Sequence, residues 1–443
     1  MTQRSRTKWR EAAGRGGHAP PHGPTKAKKW GIGVGLVAAV TTAGLAVSVI
    51  SGGSPHSPGS ASASPSTTDH AEGGQPKGKR TLDGVPVGYS RTEAGAKAAA
   101  SNFATVRGSA AFLTNPTARQ RATAAMSTAE VKRPAGEEAN QAAAQAAKDL
   151  RGDSKKVVGK DVIARTGVFS AHTLAFNIHN ATIRLWTTTV RGNTAGNSPP
   201  HAAFRSVTVN LVWDAGDWKA ASFSTGRGLV APLSSQQATN TANDFAQYVP
   251  GEAADPVLSG ATNDGVPGPY THDEAGARAA AANAAMVQGD PRFFTDADWR
   301  HRMLRGMTAP RTLKAVTHDA DSTAQLVMEN RQIGGDGRTV DGGRLVTRTA
   351  VLAARTLTHT SQAASVEMWT ASVGGIAGKD ESQHPQVGFL RMTVDLAWVD
   401  GTWKTTAVSP GEPLVPSPPA AEQASPATSF ADMGGVSDAP SFA

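Results

Sequence analysis

The chain has 443 residues, enough for about two or three domains of ordinary size. It contains no cysteine, which excludes disulfide staples, thiolate metal sites and thiol nucleophiles together. The formal charge of +8 gathers at one end, where Arg4, Arg6, Lys8, Arg10, Arg15, Lys26, Lys28 and Lys29 stand against Glu11 alone; the rest is nearly neutral and carries no electrostatic footprint for nucleic acid.

Residues 1–29 read as a basic cytoplasmic tail, because Lys and Arg collect on the inner side of a first membrane helix and are drawn to lipid headgroups. Residues 30–50, Trp30 to Ile50, carry no charge and have the length of a transmembrane helix. A cleaved signal peptide or a buried soluble helix are the alternatives, but both the apolar run and the tail before it are long for a signal. The expected protein is single-pass in the cell membrane, with its N-terminus cytoplasmic and its C-terminal domains outside. Gly31, Gly35, Ala39 and Ala43 recur every fourth residue, a small-residue stripe that lets two helices approach and would support self-association. Residues 51–80, rich in Ser, Pro and Gly, read as a disordered linker.

Beyond the linker the chain repeats itself. Asp83-Gly84-Val85-Pro86 returns as Asp264-Gly265-Val266-Pro267, which sets one repeat at 81–235 and a second at 264–417, with an inter-repeat linker at 236–263 and a disordered tail at 418–443. Each repeat opens with a helix. Ser90 with Glu93, and Thr271 with Glu274, fit a capping box. Gly95, Ala99, Asn102 and Val106 return as Gly276, Ala280, Asn283 and Val287 on one helical stripe, and Phe112 and Phe293 close the segment. Helical patterns follow at 115–133 and 134–150, and at 296–330, where the copies diverge in sequence and are expected to face different neighbours. Strands come last. Val207, Val209, Leu211 and Trp213 alternate with polar residues, as do Met392, Val394, Leu396 and Trp398. Asp/Gly turns then lead into Trp218-Lys219 and Trp403-Lys404. In the inter-repeat linker, Phe245 and Tyr248 could anchor a short helix.

Each repeat is therefore α+β, helices first and then an antiparallel sheet. Helices before a curved sheet, closed by a strand, an Asp/Gly turn and Trp-Lys, resemble the NTF2-like fold. A basic tail, one membrane helix, a spacer and two tandem copies of such a domain resemble the VirB8- and TcpC-type proteins of conjugation and type IV secretion. That resemblance implies a non-catalytic structural or assembly component of a cell-envelope machine. Its partners would be other membrane or envelope proteins of the same machine, with self-association and the lipid bilayer as further contacts.

The search for chemistry points the same way. HExxH, GxSxG and phosphate-loop patterns do not occur. The acidic Asp336-to-Asp341 stretch lacks a closing ligand for calcium and reads as a hairpin tip. His201 and His384 read as equivalent loop residues. Tyr89 and Tyr270 precede the first helices and would seat them. No cofactor, metal or catalytic residue is expected. Asn102 and Asn283 are the polar pair of interest: either they satisfy neighbouring backbone or they line a pocket. Trp186, Trp213, Trp218, Trp369, Trp398 and Trp403 are core residues or an aromatic ligand box. The alternative function is an envelope module that holds a small apolar ligand in the domain hollows.

Overall fold

The structure, a computed structural model, describes residues 80–82, 84–151, 159–195, 199–248, 265–418 and 423–434. The basic tail, the apolar segment with Gly31, Gly35, Ala39 and Ala43, and most of the linker lie outside the described residues, as do Asp83 and Asp264. Among the described residues no helix is long and apolar enough to cross a membrane.

Two copies of one α+β unit follow each other. The first begins with a short hairpin, β1 (Arg80–Leu82) and β2 (Val85–Val87). Helices α1 (Glu93–Arg107), α2 (Ala110–Thr114), α3 (Pro116–Met126) and α4 (Lys132–Arg151) come next. The sheet is an antiparallel meander of β3 (Val162–Phe176), β4 (Asn180–Asn193), β5 (His201–Asp214) and β6 (Asp217–Arg227). The second unit repeats the series with α5 (Glu274–Gln288), α6 (Arg292–Thr295), α7 (Ala297–Met307) and α8 (Pro310–Arg331). Its sheet runs β7 (Arg344–His359), β8 (Ala363–Ala377), β9 (Gln386–Val399), β10 (Thr402–Pro413).

The repeat is faithful where the sequences part. In each unit the first pair of strands carries two bulges, at Val168/Ser170 and Thr173/Ala175, and again at Val351/Ala353 and Thr356/Thr358. The last pairs share one, at Ala221 and again at Thr406, and the second unit adds another between Pro410 and Pro413. Bulges bend a strand and raise its twist, so both sheets are bent at the same places. The closing turns are two-residue loops with positive φ, Ala215-Gly216 and Asp400-Gly401, as the twist of a tight hairpin demands.

The helix starts differ from the capping-box expectation. Thr92, not Ser90, caps α1 by accepting from the Gly95 amide at 3.0 Å, and Asp273 caps α5 by accepting from Gly276 at 2.7 Å. Ser90 and Thr271 instead pair with those caps. A side chain at Gly95 would meet the Ser90 carbonyl oxygen at 2.0 Å, and one at Gly276 the Thr271 oxygen at 1.9 Å, which is why both helices begin with Glu-Ala-Gly.

α1 lies on one face of the first sheet, over Ile183, Leu185, Val209, Leu211 and Trp218; α5 covers Val366, Met368, Val394, Leu396 and Trp403 of the second. The other faces of the two sheets meet in a third core that includes Phe169, Trp186, Phe204, Leu352, Trp369 and Phe389. The order of layers is helices, sheet, sheet, helices. β3 and β7 approach so closely that a Cβ on Gly167 would stand 2.9 Å from the Ala350 Cβ.

Each unit also sends the segment after its last strand onto the other. The amide of Ser234 donates to the Val387 carbonyl at 2.9 Å and the Val387 amide to Pro232 at 2.8 Å. Reciprocally, the Ala202 amide donates to Ser417 at 2.9 Å and the Ser417 amide to Pro200 at 2.8 Å. The two arms pair with each other by the same rule, Asn240 with Val415 and Ser425 with Val230. Arm one then forms a 3-10 helix, Ala242–Tyr248, whose Phe245 and Tyr248 are buried against Trp369. Arm two forms another, Ala427–Gly434, whose Phe430 is buried against Trp186. This corrects the expectation of a disordered tail throughout 418–443. Its Pro/Ala/Ser composition hides one ring with a large apolar face to cover, and full burial of such a ring is worth about 1.5–3 kcal/mol.

Candidate functional site

The six tryptophans fall into three equivalent pairs with three different positions. Trp218 and Trp403 sit in the helix-side cores, and their indole N–H groups donate to the Ser90 and Thr271 carbonyls at 2.9 and 3.0 Å. Trp213 and Trp398 stand edge-on to them at 5.3 Å and are half-buried, with Arg91 over the Trp213 ring and His272 stacked on Trp398 at 3.9 Å. Trp186 and Trp369 lie on the opposite face, between the sheets, donating to Leu229 and Leu414 of the arms at 2.9 Å. They are joints between units rather than parts of one aromatic box.

Asn102 donates to the Tyr89 hydroxyl and Asn283 to the Tyr270 hydroxyl, both at 3.1 Å and both buried. The Gly88 and Tyr89 amides donate to the Asp217 carboxylate at 3.0 Å each; in the second unit the Tyr270 amide donates to the Thr402 hydroxyl at 3.2 Å. These groups tie the segment before each first helix to the start of the last strand. Burial, with the Asp217 charge adding to it, pushes the Tyr89 phenol well above its ordinary range, so it stays protonated.

A second buried polar device escaped the sequence reading. Arg119 donates to the Phe112 carbonyl at 2.9 Å and to the Asn140 amide oxygen at 2.8 Å. Its counterpart Arg300 donates to the Phe293 carbonyl at 2.8 Å and to Asp321 at 2.6 Å, and His301 also contacts that carboxylate at 2.8 Å. Partial burial raises the Asp321 pKa, but hydrogen bonds from Arg300 and His301 and their charges outweigh it, and the net shift is downward. A His–Asp pair can be a catalytic fragment, yet an asparagine fills the same place beside Arg119. Both arginines satisfy the end of a short helix. The signal was present as two arginines seven residues after Phe112 and Phe293.

The loop histidines are not equivalents. His201 opens β5 and is exposed, whereas the His384 ring lies 2.8 Å from the carbonyls of both Pro385 and Ser425, the latter in arm two. Among the described residues no group of three or more His, Asp or Glu could hold a metal ion.

In the second unit an apolar cleft opens between α5, α7, the start of α8 and β10. It has about 390 Å3 of empty space, open solvent included, and is bordered by Ala284, Val287, Gln288, Leu304, Met307 and Val408. Asn283 and the tryptophans are not on its wall.

Residues 76–249 match a family model described as "Domain of unknown function (DUF8175)". That span takes in the first unit and its arm. No curated protein matches the chain. Among solved structures, the chain is similar to the intermembrane-space region of the chloroplast protein ARC6, at 21% identity over 29% of this chain and 86% of that one, TM-score 0.20. It is also similar to an "Ntf2 like protein involved in plasmid conjugation", at 10% identity over 71% of this chain and 97% of that one, TM-score 0.15. Overlaps this small assign neither fold nor role, and the architecture rests on the strand order and bulges themselves.

Proposed function

We propose that the chain is a non-catalytic assembly component of a cell-envelope machine, a conjugation or type IV secretion channel. In this reading the two units are tandem NTF2-like domains held outside the membrane by the N-terminal helix. Other envelope proteins are its partners. The observation that carries the reading is the reciprocal exchange of arms. It joins two similar units into one body whose helical layers face opposite ways, so that two related surfaces are displayed at a fixed separation. Two weak contacts joined in this manner bind with an avidity that neither has alone. The buried polar groups on the helix sides of the sheets seat helices, which suits a scaffold. The choice of machine rests on the order of tail, apolar segment, spacer and repeats.

The test is photo-crosslinking in intact membranes from exposed positions on each outer helix, Gln145 on α4 and Gln325 on α8. Adducts with envelope proteins from both faces support the proposal. Absence of protein adducts from both, or recovery of the chain from the soluble cytoplasmic fraction, overturns it.

A further inference from the structure

The near-neutral charge beyond the basic tail conceals a division. Residues 81–235 hold 18 Lys and Arg against 10 Asp and Glu, a net of +8, while residues 236–443 hold 15 against 23, a net of −8. The two units share one architecture, so the second shows which charges of the first the fold requires. Paired tryptophans fix the comparison: Trp186/Trp369 on the second strands, Trp213/Trp398 on the third and Trp218/Trp403 on the fourth.

One cluster of cations belongs to the first unit alone. Register places Arg191 of β4 opposite His201 of β5, and Arg205 of β5 opposite Arg227 of β6. Val190 and Phe204, their neighbours in sequence, point into the core between the sheets, so Arg191 and Arg205 take the other face, as Val207 and Phe223 do. His201 and Arg227 follow by the same alternation. The four stand toward the end of the sheet away from the closing hairpin. In the second sheet the matching pairs are Gly374 opposite Gln386 and Leu390 opposite Pro413, all uncharged. The fold therefore stands without these cations.

Their presence has a cost. Like charges directly opposite on neighbouring strands are destabilising. Arg191 makes no hydrogen bond among the described residues; its Nε is buried, but its terminal nitrogens are not. Burial, and then the Arg205 charge, hold the Arg191 pKa below its ordinary value, while Asp149 pulls the other way. Among the described residues neither Arg191 nor Arg227 forms an ion pair. Arg191 and Arg205 are half-buried, and Arg227 and His201 are exposed, so solvent reaches the cluster.

We infer that Arg191, Arg205 and Arg227 form a binding site for a phosphate group carrying two negative charges, as in a phosphomonoester or pyrophosphate. The planar fork of arginine meets phosphate oxygens in pairs, and three guanidinium groups exceed what one carboxylate neutralises. His201 stands at the rim, where it can add a donor. The second unit, with Gly374 and Leu390 in these places, has no such site. The group arrives either on a soluble compound or on a lipid headgroup. This site is independent of the assembly role proposed above, and either can fail without the other.

The probe is inorganic pyrophosphate, titrated calorimetrically at constant ionic strength into the full chain in nanodiscs of zwitterionic lipid. The basic tail also attracts anions, so variants identify the site. Arg205→Leu gives the first unit the residue of the second and should weaken binding about tenfold or more, as should Arg191→Gln. Arg227→Gln changes an exposed side chain, keeps the fold, and should weaken binding about fivefold. Arg184→Gln removes an equal charge from the opposite face of β4 and should leave affinity within about twofold. Acetate at the same concentration should not compete. Adding phosphatidic acid to the nanodiscs separates the sources: a headgroup that reaches the site weakens the apparent pyrophosphate affinity, and affinity is unchanged if the site serves a soluble compound. Undetectable binding at millimolar pyrophosphate, affinity unchanged in both Arg205→Leu and Arg227→Gln, or an equal loss from Arg184→Gln would overturn the site.

Discussion

Phe430, near the end of the chain, stands edge-on to Trp186 of the first sheet with ring centroids 5.8 Å apart, as Phe245 stands to Trp369 at 5.4 Å. Both phenylalanines are fully buried. Phe430→Ala should therefore destabilise the first unit, although 430 belongs to the arm of the second, by about 3–5 kcal/mol. Urea unfolding followed by tryptophan fluorescence checks this. A loss below 1 kcal/mol, on the order of a surface substitution, would mean the arm is not docked.

The crossing of β3 and β7 depends on a missing side chain. Gly167→Ala places a methyl 2.9 Å from the Ala350 Cβ, well inside contact distance. The expected cost is about 1–3 kcal/mol, as for other overpacked cores. Ala350→Gly in the same chain should restore part of it. Thermal melts of the single and double variants measure the coupling; additive effects would place the two residues apart.

Asn102 tests a structural role against a ligand role. Asn102→Leu leaves the Tyr89 hydroxyl buried without its donor, at a cost of about 1–3 kcal/mol. Adding Tyr89→Phe should recover much of the loss, because both polar groups are then gone. A double-mutant cycle with no coupling would contradict the pairing.

Asp321 gives the second unit an acid-sensitive tie. Its folded pKa lies below the ordinary carboxylate value, so its stabilising effect is full above about pH 4, where an unfolded aspartate is ionised, and is lost as the pH falls through the folded value. The carboxylate is 41% exposed, so after solvent screening the effect is about 1 kcal/mol or less. Asp321→Asn copies the Arg119–Asn140 arrangement and should fold. It should be slightly less stable at neutral pH and converge with the wild type under acid. Denaturation midpoints from pH 7 down to pH 2 check the convergence.

The readable parts of the fold were local ones. The closing hairpins could be read because alternation in Val207–Trp213 and Met392–Trp398 ends at short turn sequences. The faces of the strands could be paired off by period two, but nothing local says which face takes helices, and so Trp186 and Trp369 were not told apart from Trp218 and Trp403. The arms were invisible for a related reason. Phe245 and Phe430 are single rings in polar or Pro/Ala/Ser surroundings, and what buries them lies far away in the chain. Divergence in the middle helices looked like a change of surroundings, yet Arg119 and Arg300 hold the same short helix.

Exchange of arms also dictates an order of events during synthesis. The cover over Trp186 is completed only when the second sheet and then Phe430 have been made. The inner face of the first sheet must wait, with an oily flank bare, until the second unit and its arm have emerged from the ribosome. A stalled or truncated product is thus a sticky half-protein, prone to associate through that flank with whatever complementary edge it meets first.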